Sequence, residues 1–166
     1  MVRAAKKKEV AYPERVRLER DKAVIREALE ILEREWHKPK RHRIITSPAP
    51  AKELAMMVLA GEEREHFWVA FLNTRHQLIE HKVMFSGTID SAAVYPREVA
   101  KEALRLNAAA VLFAHNHPSG ITEPSADDVA ITKRLKDALK LVDVWVLDHL
   151  IIGGHISVSL AERGLL

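Results

Sequence analysis

The 166-residue chain is predicted to fold as an α/β (α+β) sandwich, a mixed β-sheet flanked by helices with an N-terminal helical extension. Three observations lead there. Helix-periodic segments alternate with short β-rich runs, two of those runs are close enough to pair as a hairpin, and 48% hydrophobic content is enough to bury a real core. Pro and Gly are scattered, with no internal repeat and no low-complexity tract. The length suits one domain, residues 44–166, preceded by a basic arm and helix at 1–43.

Met1–Val10, with Lys6, Lys7 and Lys8 in a row, has no apolar periodicity and is expected to be disordered. From Pro13 to Trp36, Leu18, Ile25, Leu29, Leu32 and Trp36 recur on one helical face. Pro39 and the basic run Lys40–Arg43 then form a linker. Ser47-Pro48 reads as an N-cap with proline at the first helical position, opening a short helix to about Ala60. Phe67–Leu72 and Leu78–Phe85 read as a hairpin about the polar turn Asn73–His76, closed by turn residues Gly87–Asp90. Tyr95-Pro96 starts a helix with Val99, Ala103 and Leu106 on its apolar face, ended by Asn107. Ala108–Ala114 is a buried strand running into a polar loop, His115–Gly120. Ser125 opens a helix to about Leu141, Val144–Ile152 is a strand ending in Gly153-Gly154, and Ile156–Ser159 is a last short strand.

The chain has no cysteine, so disulfides and thiolate metal sites are excluded, and any metal must be held by His, Asp, Glu or water. No apolar run reaches membrane-spanning length and the lysine-bearing start has no apolar segment behind it. A cytoplasmic protein without membrane attachment is expected. Charge is uneven: residues 1–43 carry 14 Lys/Arg against 8 Asp/Glu, and residues 44–166 carry 12 against 15. The basic arm offers a surface for DNA phosphates or simply solvates a helix.

Two residues apart in an extended segment, His115 and His117 project to the same side and can converge on one ion. Pro118 and Gly120 would turn the backbone there and hold them at the strand's end. Asp128, one turn into the helix opened by Ser125, is the candidate third ligand. Ser125-Ala126-Asp127-Asp128 also fits a capping box, and His-x-His alone is a common surface accident.

Taken together, His115, His117, Pro118, Ser125 and Asp128 resemble the JAMM motif of the MPN/JAB domain family, His-x-His-Pro followed by Ser-x-x-Asp. With YPREVAKEALRLNAAAVLFAHNHPSG before it and DHLIIGG…S…ERGLL after it, residues 47–166 look like the RadC-type branch. The resemblance implies an MPN/JAB, cytidine-deaminase-like architecture and one zinc ion on His115, His117 and Asp128. Two histidines and a carboxylate leave a fourth position for water, as at a catalytic zinc. It further implies a glutamate ahead of a core strand as general base, for which Glu65 is chosen with Glu80 in reserve, and an oxyanion-stabilising role for Ser125. RadC-type relatives usually begin with a helix-hairpin-helix-like region, where this chain has one basic helical segment. The position of Lys82 is often acidic in such relatives; were that carboxylate the base, this chain would bind metal and catalyse poorly.

The function that follows is a zinc-dependent JAMM-type hydrolase acting on a peptide or isopeptide bond of a peptide or protein substrate. Two alternatives stay open, a DNA repair- or recombination-associated protein using the basic arm, and a non-catalytic metal-binding interaction module. Glu62, Glu63 and Glu123 read as solvated charges, and His149 as a structural histidine or one that bonds a ligand histidine. The amphipathic stripe Leu18–Trp36 and the sheet's strand edges suit a homodimer.

Overall fold

The computed structural model describes residues 20–28, 30, 31, 34, 48–87 and 93–166. The arm Met1–Val10, the linker Lys40–Arg43, the Ser47 cap, the turn beyond Gly87 and both ends of the helix expected over Pro13–Trp36 lie outside them. The chain divides into two units, Met1–Arg41 and His42–Leu166. In the first, residues 20–28, 30, 31 and 34 are helical, as the periodicity predicts. No helix among the described residues is long and apolar enough to cross a membrane.

The second unit is built on one five-stranded sheet: β1 (His66–Leu72), β2 (Leu78–Ser86), β3 (Ala110–Asn116), β4 (Trp145–Gly153) and β5 (Ile156–Ser159), in the order β2-β1-β3-β4-β5. The predicted hairpin forms, Phe67 opposite Phe85 and Phe71 opposite Glu80. β3 pairs antiparallel with β1 and parallel with β4, which makes the sheet mixed. Helices α1 (Pro48–Leu59), α2 (Pro96–Arg105) and α3 (Ala126–Lys140) flank it.

Both faces of the central strands are covered, so every residue of β3 is buried. Alternation sorts their side chains. Phe67, Val69, Phe71, Val111 and Phe113 form one core with Val99 and Ala103 of α2 and Leu135 and Leu139 of α3. Trp68, Ala70, Leu112 and Ala114 point the other way, the side on which α1 buries Ala51, Leu54, Ala55 and Leu59. Pro96 opens α2 where a missing N–H costs nothing, and Asn107, with φ of 50°, turns the chain after its last residue. Buried Asp148 accepts the N–H of His149 at 2.7 Å, the Ser159 hydroxyl at 2.6 Å and the Ala161 N–H at 3.0 Å, fastening β5 and the C-terminal turn to β4.

Most boundaries lie within one or two residues of expectation, and the one that bears on the site is the end of β3. β3 was predicted to stop at Ala114, yet His115 and Asn116 stay in the ladder opposite Ile151 and Ile152, and the His117 N–H still reaches the Ile152 carbonyl at 2.8 Å. The pairing with β4 outweighs the polarity of these side chains, because each finds hydrogen-bond partners, His115 in buried His149 and Asn116 in the backbone ahead of β1. Beyond His117 the loop folds back over the end of β4, where a Cβ on Gly153 would collide with the Gly120 carbonyl and lie 2.7 Å from Thr122 Cγ2.

Candidate metal centre

Four chain segments end at the same edge of the sheet: the approach to β1, the end of β3, the end of β4 and the start of α3. His115 points from β3 into the α2/α3 side, and His117 follows from the first loop position. Asp128 sits one turn into α3. Their ligand atoms all lie within 4.8 Å of one another, so this group could hold a metal ion. His115 Nε2 is 2.9 Å from His117 Nε2 and 3.1 Å from Asp128 Oδ1, and His117 Nε2 is 3.6 Å from Asp128 Oδ2. A tetrahedral zinc with bonds of about 2.0–2.1 Å sets its ligands roughly 3.3 Å apart, so the donor set fits such an ion in kind and spacing.

The carboxylate divides its work. Oδ2 accepts the Ser125 N–H and hydroxyl, both at 2.7 Å, and Ser125 Oγ accepts the Asp128 N–H at 3.1 Å, a complete capping box. Oδ1 is left facing His115. The capping box is made by Oδ2, and Oδ1 stays available as a candidate ligand atom. Ser125 has one hydroxyl proton, and here it goes to Asp128.

Proton accounting fixes the tautomers. A carbonyl can only accept, so Thr132 Oγ1 donates to the Asp128 carbonyl (2.5 Å) and must accept from His149 Nδ1 (2.5 Å). His149 Nε2 then carries a lone pair and accepts from His115 Nδ1 at 2.8 Å. In a neutral His115, the form a metal ligand requires, Nε2 then carries the lone pair and is turned to Asp128. By the same logic His117 Nδ1 donates to the Ile121 carbonyl at 2.5 Å, which leaves its Nε2 for Asp128 or an ion. Fully buried His149 lies edge-on to Phe67 and Phe113, and burial first, then the neighbouring His115, pushes its pKa well below the ordinary value. His149 is thus a direct partner of a candidate ligand.

Burial alone would raise the Asp128 pKa, but the hydrogen bonds from His115 and His117 outweigh it and hold the carboxyl well below the usual carboxylate range. The His117 imidazole is pushed up, mainly by its bond to Asp128 and against its burial, with a smaller contribution from the Glu65 carboxylate.

The group opens into a cleft of about 950 Å³. Glu65, half-buried just ahead of β1, lies on its wall with Ser125. Glu80 does not. It faces Arg105 at 3.3 Å and Lys82 at 3.8 Å, and Lys82 donates to Glu102 at 2.5 Å, all away from the cleft lining. Glu102, bonded by Arg105 and then Lys82, has its pKa lowered to about 2. Glu123, expected to be a solvated charge, is exposed and pairs with Arg163 at 2.7 Å. Sequence reading missed Thr132, Asn116 and the cleft's outer wall of Val94, Tyr95 and Arg134. Thr132, four residues after ligand candidate Asp128 on the same helical face, carried a readable signal.

Residues 45–165 match the RadC-like JAB domain family. A UPF0758 protein of Vibrio cholerae serotype O1 is 55% identical over 143 residues, 86% of this chain and 88% of that protein. UPF0758 proteins of Vibrio parahaemolyticus serotype O3:K6 and Marinobacter nauticus are 52% and 49% identical over 75% and 87% of this chain. The chain spans 56% and 65% of those two longer proteins.

Proposed function

Because the chain belongs to the RadC-like JAB domain family, we propose that it is a zinc-dependent hydrolase cleaving a peptide or isopeptide bond. The observation that carries the reading is the convergence of ligand atoms of His115, His117 and Asp128 within 4.8 Å of one another, beside a cleft that Glu65 also lines. His115, His117 and Asp128 would hold the ion, which when bound supplies a Lewis acid and a water whose pKa is brought toward about 7.

The remaining chemistry belongs to the chain. Glu65 takes the proton of the attacking water and returns it to the departing amine, a transfer that suits a half-buried carboxylate on the cleft wall. The Thr132–His149–His115 chain keeps the His115 lone pair on the ligand side. Ser125 holds Asp128 in place, and serves the oxyanion only when its hydroxyl turns from Asp128 to the substrate carbonyl. Val94, Tyr95 and Ile131 give the cleft an apolar wall for a substrate side chain.

The test is elemental analysis together with turnover on a library of peptides and isopeptide-linked peptides. One zinc per chain and hydrolysis are expected, with Glu65→Gln keeping the zinc and losing about 10²–10⁴-fold in kcat. A chain that folds without binding zinc, or a zinc-loaded chain indifferent to Glu65→Gln, overturns the reading.

A further inference from the structure

The β1–β3 ladder ends at Phe67 opposite His115. One step further, His66 and Asn116 would face each other, and there a side chain replaces the backbone. Asn116 Oδ1 accepts the His66 N–H at 2.8 Å. Its Nδ2 donates to the Arg64 carbonyl at 2.8 Å and reaches the Glu62 carbonyl at 3.4 Å. The two short bonds grip the backbone one residue before and one residue after Glu65. On the far side, the Glu65 carbonyl accepts the Gly87 N–H at 2.8 Å.

We propose that Asn116 is the positioning residue for Glu65, setting the base against the metal ligands; this rests on the hydrolase reading above. Asn116 is 3% exposed, and its oxygen and amide nitrogen both spend their capacity on this one segment. Aspartate would keep the acceptor but lose the donor, and glutamine would carry the amide one methylene too far. The placement in the chain matters as much. Asn116 stands between His115 and His117, so a single three-residue stretch fixes two ligands on one side and the base on the other. A displacement of order 1 Å at a reacting group costs about 100-fold in rate.

The experiment uses the zinc-loaded full chain and the peptide that the wild type cleaves. Asn116→Ala is expected to keep one zinc per chain and KM within about twofold, and to lower kcat by roughly 30- to 100-fold. In a Glu65→Gln background the same substitution is expected to cost nothing further in kcat. Asn116→Asp keeps the bond to the His66 amide and is expected to lose less, about 10-fold.

Amide hydrogen exchange reads the anchor itself. Asn116→Ala should expose the His66 N–H while Ala70, mid-strand in β1, stays protected, and should shift the Glu65 carboxylate ¹³C resonance. An equal loss of kcat in the Glu65→Gln background, loss of zinc, or a His66 amide that stays protected overturns the proposal. Should the wild type cleave nothing, the hydrolase reading fails by itself. The His66 exchange and Glu65 resonance then still decide the positioning: both altered supports it, either unchanged overturns it.

Discussion

Thr132→Val tests the proton accounting at a residue that never approaches the ion. Valine keeps the shape of threonine and removes the one oxygen that accepts from His149 Nδ1. Two states are then open to a fully buried histidine. Either His149 keeps its Nδ1 proton with no acceptor, at about 1–3 kcal/mol, or it moves that proton to Nε2 and donates to His115 Nδ1. The second state leaves only a bare lone pair on His149 Nδ1 in place of an orphaned N–H, but puts the His115 proton on Nε2, the candidate metal-binding atom. The metal-free chain adopts it, and metal binding has to reverse it. The penalty therefore falls on binding: about 1–3 kcal/mol, or roughly 5- to 150-fold weaker zinc affinity. Competition against a chelating dye measures it, with Thr132→Ser, which keeps the oxygen, expected to match wild type. Unchanged affinity in Thr132→Val would refute the tautomer assignment.

Three further outcomes follow from the same geometry. Asp128→Ala removes both a candidate ligand and the acceptor of the capping box, so elemental analysis should find no zinc and thermal unfolding a loss of about 1 kcal/mol in the metal-free chain. Gly153→Ala forces a methyl group against the Gly120 carbonyl and Thr122, so the loop after His117 must move; zinc affinity should drop about tenfold or more, with little change in the far end of the sheet by hydrogen exchange. Glu102, whose pKa is lowered to about 2 by Arg105 and Lys82, contributes stability that is complete above its ordinary value of 4.5 and is lost as pH falls toward 2. Arg105 is exposed, so screening trims that contribution to about 1 kcal/mol. Denaturant titrations should accordingly show Glu102→Gln less stable than wild type by about that amount at pH 6, with the gap shrinking by pH 3.

The fold was legible where local chemistry punctuates the chain. Pro48, Pro96 and Asn107 act through their own backbone and Ser125 through a hydroxyl bonded three residues on, and the helices they bound begin and end within a residue or two of expectation. The end of β3 was not legible, because what keeps His115 and Asn116 in the ladder is a tertiary partner. His149 takes one side chain, and the segment ahead of β1 takes the other. The choice between Glu65 and Glu80 likewise turned on register. Both belong to the same hairpin, Glu65 just ahead of β1 and Glu80 within β2, but Glu80 lies opposite Phe71, at the far end of β1 from the Phe67–His115 pair. Only the pairing shows which carboxylate shares an edge with the histidines.

The candidate ligands bring out a further distinction between motif and site. His-x-His and Ser-x-x-Asp each have a self-contained local explanation, and in isolation each would be satisfied by it. Asp128 caps α3 through Oδ2 whatever else it does. What makes the group more than two local motifs is that the remaining valences are aimed the same way. Oδ1 is spared by the cap, and both Nε2 atoms face the group because the Nδ1 protons are drawn to His149 and to the Ile121 carbonyl. Three lone pairs within 4.8 Å repel unless a proton or a cation lies between them. His117 answers this in the metal-free chain by holding a proton more tightly than usual, against its own burial. An ion displacing that proton relieves the repulsion without disturbing the cap, the His149 relay or the loop, so the surrounding hydrogen bonds are arranged to survive the exchange.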